Sequence, residues 1–114
     1  MSSERIERVN SLIAHELGLL FRRELELPRS VILTITEVET TSDLSYAYVS
    51  ISVLPLDQEE AVLALLNKRV YHLQKLLNRK VIMHNVPRLV FKINRTEERA
   101  AYIESLLDEL KKTE

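Results

Sequence analysis

Cysteine is absent from this chain, which removes disulfide frameworks, thiol catalysis and Cys-ligated zinc or iron–sulfur sites and fits a reducing compartment. Glycine occurs once, at Gly18, so no G-x-G-x-x-G or Walker-type phosphate loop can be written. Nucleotide binding by those loops is excluded. One glycine and three prolines also exclude collagen-like and low-complexity character. No apolar run approaches the roughly 20 residues of a membrane span, and the first ten residues are charged where a signal peptide would be apolar. The expectation is a soluble, cytoplasmic protein with no membrane contact.

What is present is a balanced globular composition, 46% hydrophobic and 29% charged over 114 residues. That is enough for a sizeable core and too short for two, so residues 1–114 read as one domain. The net charge of −1 conceals a segregated distribution. Residues 61–96 carry eight Lys/Arg and no Asp or Glu, while the rest of the chain holds the other eight and all seventeen acids. Such a block makes a local positive field that the overall balance hides, and a polyanion is the first partner it suggests.

The pattern of elements is α-β-β-α-β-α. Ile6, Val9, Ile13, Leu17 and Leu20 recur at spacings of three and four and predict an amphipathic helix from Ser3 to Glu26, ended by Pro28. Val31 to Glu39 reads as a strand whose apolar phase slips between Ile35 and Val38, which predicts a bulge. Ser45 to Leu54 alternates cleanly, with Ala47, Val49, Ile51 and Val53 on one face and Tyr46, Tyr48, Ser50 and Ser52 on the other. Asp57 and Glu60 form a capping-box pattern ahead of a helix whose seam is Leu63, Leu66, Val70, Leu73 and Leu77, with Asn78 as a left-handed cap. Arg88 to Ile93 is a third strand, and Asn94 with Glu97 opens a last helix running to about Lys112. An α+β fold with helices on one face of a three-stranded sheet packs these economically.

No enzymatic constellation emerges. His15, His72 and His84 match no zinc-ligand spacing, and no glycine-flanked serine turn exists for a nucleophile. A non-enzyme without metal or cofactor is expected. The basic block is more informative. At about 100° per residue, Lys68, His72, Lys75 and Arg79 fall in one wedge opposite the apolar seam. A solvent face is ordinarily charged, but an ordinary one mixes both signs. Arg69, Lys80, Arg88 and Lys92 extend the same sign, so these eight residues are the expected phosphate contacts of an RNA-binding strip. Tyr46 and Tyr48, on the wet side of their strand, are either cross-strand packing groups or base-stacking ones.

The chain resembles the ribosome-binding factor A family. The landmarks are Arg8-Val9, Ile13, Glu16-Leu17, Glu24-Leu25 and Pro28-Arg29, then Asp43 through Ser50, then Val86 through Phe91. They stand in the family's order and spacing from Arg8 to about Ile93. The resemblance implies a type II KH-like fold in a bacterial cytoplasmic factor. It also implies binding to the small ribosomal subunit late in its maturation, near the 5′-end helix of the 16S rRNA, without enzyme activity. A monomer is expected. The alternative is a protein-interaction module that binds an acidic partner through the same strip.

The chain departs from the family pattern at four places. Arg69-Val70-Tyr71 stands where the family usually has a kink of Ala-x-Gly. Arg69 and Tyr71 lack the small side chains that ease a helix break, so the expectation is one helix from Gln58 to Leu77, at most mildly bent. Asn94 replaces the acid after the third strand, Leu27 the usual Asp before the first proline, and Glu114 falls short of the charged tail of longer members.

Overall fold

A computed structural model describes residues 2–94. Helix α1 spans Ser2–Glu24, β1 Ile32–Thr40, β2 Tyr46–Leu54, α2 Glu59–Lys80 and β3 Arg88–Ile93. The order α-β-β-α-β and the three-stranded sheet are those expected. The last expected helix, from Asn94 to Lys112 with its capping pair Asn94 and Glu97, lies outside the described residues beyond its first position.

The sheet order is β1-β2-β3, with β1 antiparallel and β3 parallel to the central β2. A parallel neighbour needs a crossover, and α2 provides it. The expected bulge is present, as the β1–β2 register slips between Ile35 and Glu37. Thr36, the extra residue, donates through Oγ1 to the Ser50 carbonyl at 3.2 Å and accepts from Asn94 Nδ2 at 2.7 Å. Side chains thus satisfy groups that the ladder leaves over. The turn between β1 and β2 is held by Thr41 and Asp43, which both accept from the Ser45 N–H at 3.1 Å. Leu44 within it has φ 61°, a left-handed conformation costly for leucine. Its partly buried side chain packs against the core and offsets that cost.

The core is the sheet's inner face under two helices. Ala47, Val49, Ile51, Leu89, Phe91 and Ile93 are buried on that face. Val9, Ile13, Leu17, Leu20 and Phe21 cover it from α1, where Phe21 and Phe91 meet at 6.0 Å between ring centroids. From α2 the buried residues are Val62, Leu66, Leu73 and Leu77. Leu63 and Val70, expected in the seam, are only partly buried at its rim. Val62 replaces them because the helix rotates its i, i+4, i+11 row onto the sheet.

Two expected caps are not made. The Leu54–Pro55 peptide is cis, and Leu56–Gln58 forms a 3-10 turn that holds Asp57 within it. Gln58 then precedes α2 with no side-chain capping bond. Asn78 does not end α2 either. The helix continues to Lys80 and closes at Val81, in extended conformation, whose N–H donates to the Leu77 carbonyl at 3.0 Å. Burial of Val81 draws the chain past Asn78, whose Oδ1 instead accepts from Gln74 Nε2 at 3.1 Å.

Leu66 and Leu73 are fully buried, so Leu66→Ala and Leu73→Ala should each cost about 2–5 kcal/mol in urea unfolding. Gly18 lies inside α1, and a Cβ there would meet no atom within 4 Å. Gly18→Ala should therefore raise stability by about 0.5–1 kcal/mol. An unchanged midpoint for Leu66→Ala, or a loss for Gly18→Ala, would contradict this packing.

Candidate nucleic-acid interface

Because the α2 seam faces the sheet, the opposite side of the helix faces solvent. Lys68, His72, Lys75 and Arg79 are exposed on that side, as their spacing predicts. The helix is continuous from Glu59 to Lys80, so the four keep one phase along it. The expected single helix is what the structure shows. Arg69, three residues before His72, is exposed on the flank that His72 shares. Lys80 is the last residue of the helix, where it and Arg79 also complement the negative end of the dipole.

Arg88 and Lys92 do not join this face. Leu89, Phe91 and Ile93 point inward on β3, so by strand alternation Arg88 and Lys92 point to the open side of the sheet, away from both helices. The eight residues therefore make two surfaces rather than one strip. Arg88 is paired in register with Tyr46, and Lys92 Nζ lies 5.9 Å from the centroid of the Tyr48 ring. Tyr46 and Tyr48, two residues apart on β2, stack on each other at 6.3 Å with 29° between their planes. The two tyrosines are thus packed together, with the Lys92 cation over one of them.

His72 has a protein partner. Its Nε2 lies 2.9 Å from Oε1 of Glu24, at the end of α1. An ionised carboxylate only accepts, so the imidazole donates in this bond. The hydrogen bond from His72 is the main reason that the Glu24 carboxyl titrates below its ordinary 4.5, with Arg23, 3.6 Å away, contributing less. Residues 61–96 lack acids in sequence, but folding brings one to their edge. Glu24 ties the α1 and α2 flanks together and leaves Lys68, Lys75 and Arg79 as the face's cations without an ion-pair partner among the described residues.

One further residue of this face is not among the expected contacts. Tyr71 is 83% exposed, far more than Tyr46 or Tyr48. Its signal is present in the spacing, since it lies three residues after Lys68 and four before Lys75. Among the described residues no three His, Asp or Glu gather as metal ligands, and no helix is long and apolar enough to cross a membrane.

A family profile described as ribosome-binding factor A matches residues 5–107. A ribosome-binding factor A from Chlorobium chlorochromatii is 41% identical over 96% of this chain and 90% of its own length. One from Pelodictyon phaeoclathratiforme is 43% identical over 97% and 95%. Among solved structures, the crystal structure of ribosome-binding factor A from Thermus thermophilus superposes with a TM-score of 0.63. It is 27% identical and covers 83% of this chain and 97% of its own. A Thermus thermophilus homology model fitted into the cryo-EM map of a 30S–RbfA complex superposes at 0.56. It is 31% identical and covers 73% and 96%.

The Glu24–His72 contact gives a pH signature. A carboxyl whose folded pKa is depressed stabilises the fold above its unfolded value, and that contribution is lost as pH falls through the folded value. Asp43 behaves alike, held below its ordinary 3.8 by hydrogen bonds from Thr41 and Ser45. Glu24→Gln should therefore lower the urea midpoint modestly above pH 4.5, and the gap should close as pH drops below it. A gap that persists unchanged at about pH 3, below the ordinary range for a glutamate, would show that the carboxylate charge is not involved.

Proposed function

The chain belongs to the ribosome-binding factor A family, and on that premise we propose that it binds the small (30S) ribosomal subunit during late maturation. It does so as a cytoplasmic, monomeric single-domain protein, without catalysis, by contacting the 16S rRNA through the outer face of α2. One observation carries this reading. Lys68, Lys75 and Arg79 share an exposed face of a continuous helix, and the whole of α2 after its first turn holds no carboxylate.

Phosphate contacts of this type orient a protein on RNA without reading its sequence. They require unpaired cations, because a lysine already paired with a carboxylate gains little from a phosphate. Lys68, Lys75 and Arg79 meet that requirement, whereas His72 has to exchange Glu24 for phosphate. Arg69 and Lys80 flank the face. Arg88 and Lys92, beside the paired tyrosines on the open sheet, form a second basic surface that would engage a separate stretch of RNA or another part of the subunit.

Replacing Lys68, Lys75 and Arg79 together with Glu should abolish binding to small subunits in co-sedimentation. Replacing them with Ala should make log affinity less steep against log salt by about 0.7 to 0.9 for each phosphate no longer neutralised. The unfolding midpoint should stay within about 0.5 kcal/mol of the parent, since all three side chains point away from the core. A folded triple-Glu variant that sediments with subunits at parental affinity and salt response would refute the placement of the site on α2. The tyrosine face of β2 and β3 would then be tested next.

A further inference from the structure

We propose that Tyr71 is a stacking platform for one unpaired RNA base, set between phosphate contacts at Lys68 and Lys75. This rests on the reading of the α2 outer face as the RNA surface, and adds to it a preference for unpaired over duplex RNA.

Tyr71 contributes almost nothing to the fold. The residue is 83% exposed, and among the described residues its side chain makes no ring contact, hydrogen bond or cation–π pairing. Tyr46 and Tyr48 differ in this respect, since each uses a ring face on the other. An aromatic ring held out on a rigid helix has a face free for stacking and loses little freedom when it is used.

The surroundings select what stacks there. The helix-surface neighbours of Tyr71, three and four residues away, are Asn67, Lys68, Gln74 and Lys75. Two are cations, two are amides, and none is a carboxylate. Lys68 and Lys75 stand two turns apart, about 10.5 Å along the axis, with Tyr71 between them. A π-face with a positive charge on either side matches a nucleotide, which presents a flat base and a phosphate on each side of its sugar. An acidic peptide would satisfy the lysines but offers no regular partner for the ring.

The base must be unpaired. In an RNA duplex both faces of a base are occupied by its neighbours, and a side chain on a convex helix reaches only backbone and groove edges. Base–aromatic stacking is sequence-tolerant, so no particular base is selected.

The chain contains no tryptophan, which makes Tyr71→Trp a reporter as well as a conservative variant. Titration with single-stranded oligoadenylate should quench the introduced indole, and an RNA duplex of equal length should do so far less. Tyr71→Ala should weaken oligoadenylate binding roughly tenfold while leaving the salt slope unchanged, because the variant removes a ring and keeps every phosphate contact. Tyr71→Phe should bind like the parent.

If Tyr71→Ala binds oligoadenylate like the parent while Lys68→Ala and Lys75→Ala weaken it, stacking is refuted and the RNA face stands. If the lysine variants change neither RNA nor subunit binding, the RNA surface lies elsewhere and the proposal falls with it. Subunit binding that depends on Tyr71 in a protein with no affinity for naked RNA also overturns it, in favour of a protein partner. Tyr71 is outside the core, so an unchanged urea midpoint separates each of these results from misfolding.

Discussion

Leu66, Leu73 and Leu77 are fully buried, Ala47, Val49 and Ile51 are fully buried beneath them, and this contact fixes the rotation of α2 about its own axis. Once that rotation is set, every outward position follows from the helical period. A turn of one residue, about 100°, would carry Lys68 and Lys75 toward the flanks and expose part of the seam. The apolar cost of that exposure is several times the net worth of a surface charge, so the core decides where the cations point. Gln74 adds a polar lock. Its Oε1 accepts from the Leu89 N–H at 2.9 Å and its Nε2 donates to the Pro87 carbonyl at 3.1 Å, which ties α2 to the start of β3.

The same rotation places Glu24 against His72. Burial of Val9, Ile13, Leu17, Leu20 and Phe21 sets α1 beside α2, and its C-terminal end then meets the flank of its neighbour. Attraction across an exposed pair is small in water, so the contact contributes little to the fold. Its larger effect is on the local field. A carboxylate at the edge of the cationic face lowers the potential along that flank, whereas Lys68, Lys75 and Arg79 have no carboxylate paired with them among the described residues.

The elements from α1 to β3, their order and the inner face of the sheet were legible in the sequence because each rests on strict periodicity. Strand alternation from Ala47 to Val53 and from Leu89 to Ile93 allows one orientation. The bulge was legible as well, as a phase slip in β1. The rim of the α2 seam was not. Leu63 and Val70 fit a 3-4 spacing as well as Val62 does, and only contact with the sheet chooses between them. The caps failed for a related reason, since Asp57 and Asn78 have the right identity but a 3-10 turn and buried Val81 move the helix ends away from them. On the interface, helical phase correctly grouped Lys68, His72, Lys75 and Arg79. Arg88 and Lys92 were grouped with them by charge, although the alternation that buries Leu89, Phe91 and Ile93 already turns Arg88 and Lys92 to the open side of the sheet, away from α2. Glu24 was invisible because it is 48 residues from His72 in the chain.

The continuity of α2 links the family departure to the surface. The pattern Ala-x-Gly permits a break, and a break between Lys68 and His72 would rotate the second half of the helix relative to the first. Lys68 would then leave the side shared by Lys75 and Arg79, and the face would be divided at its centre. With Arg69-Val70-Tyr71 in that place the helix does not end, and phase is carried through. Tyr71, the last of these three residues, is 83% exposed between Lys68 and Lys75. Arg69 and Tyr71 would be costly at a tight helix junction, but α2 has none at this point, and the continuous helix carries an exposed ring between two lysines.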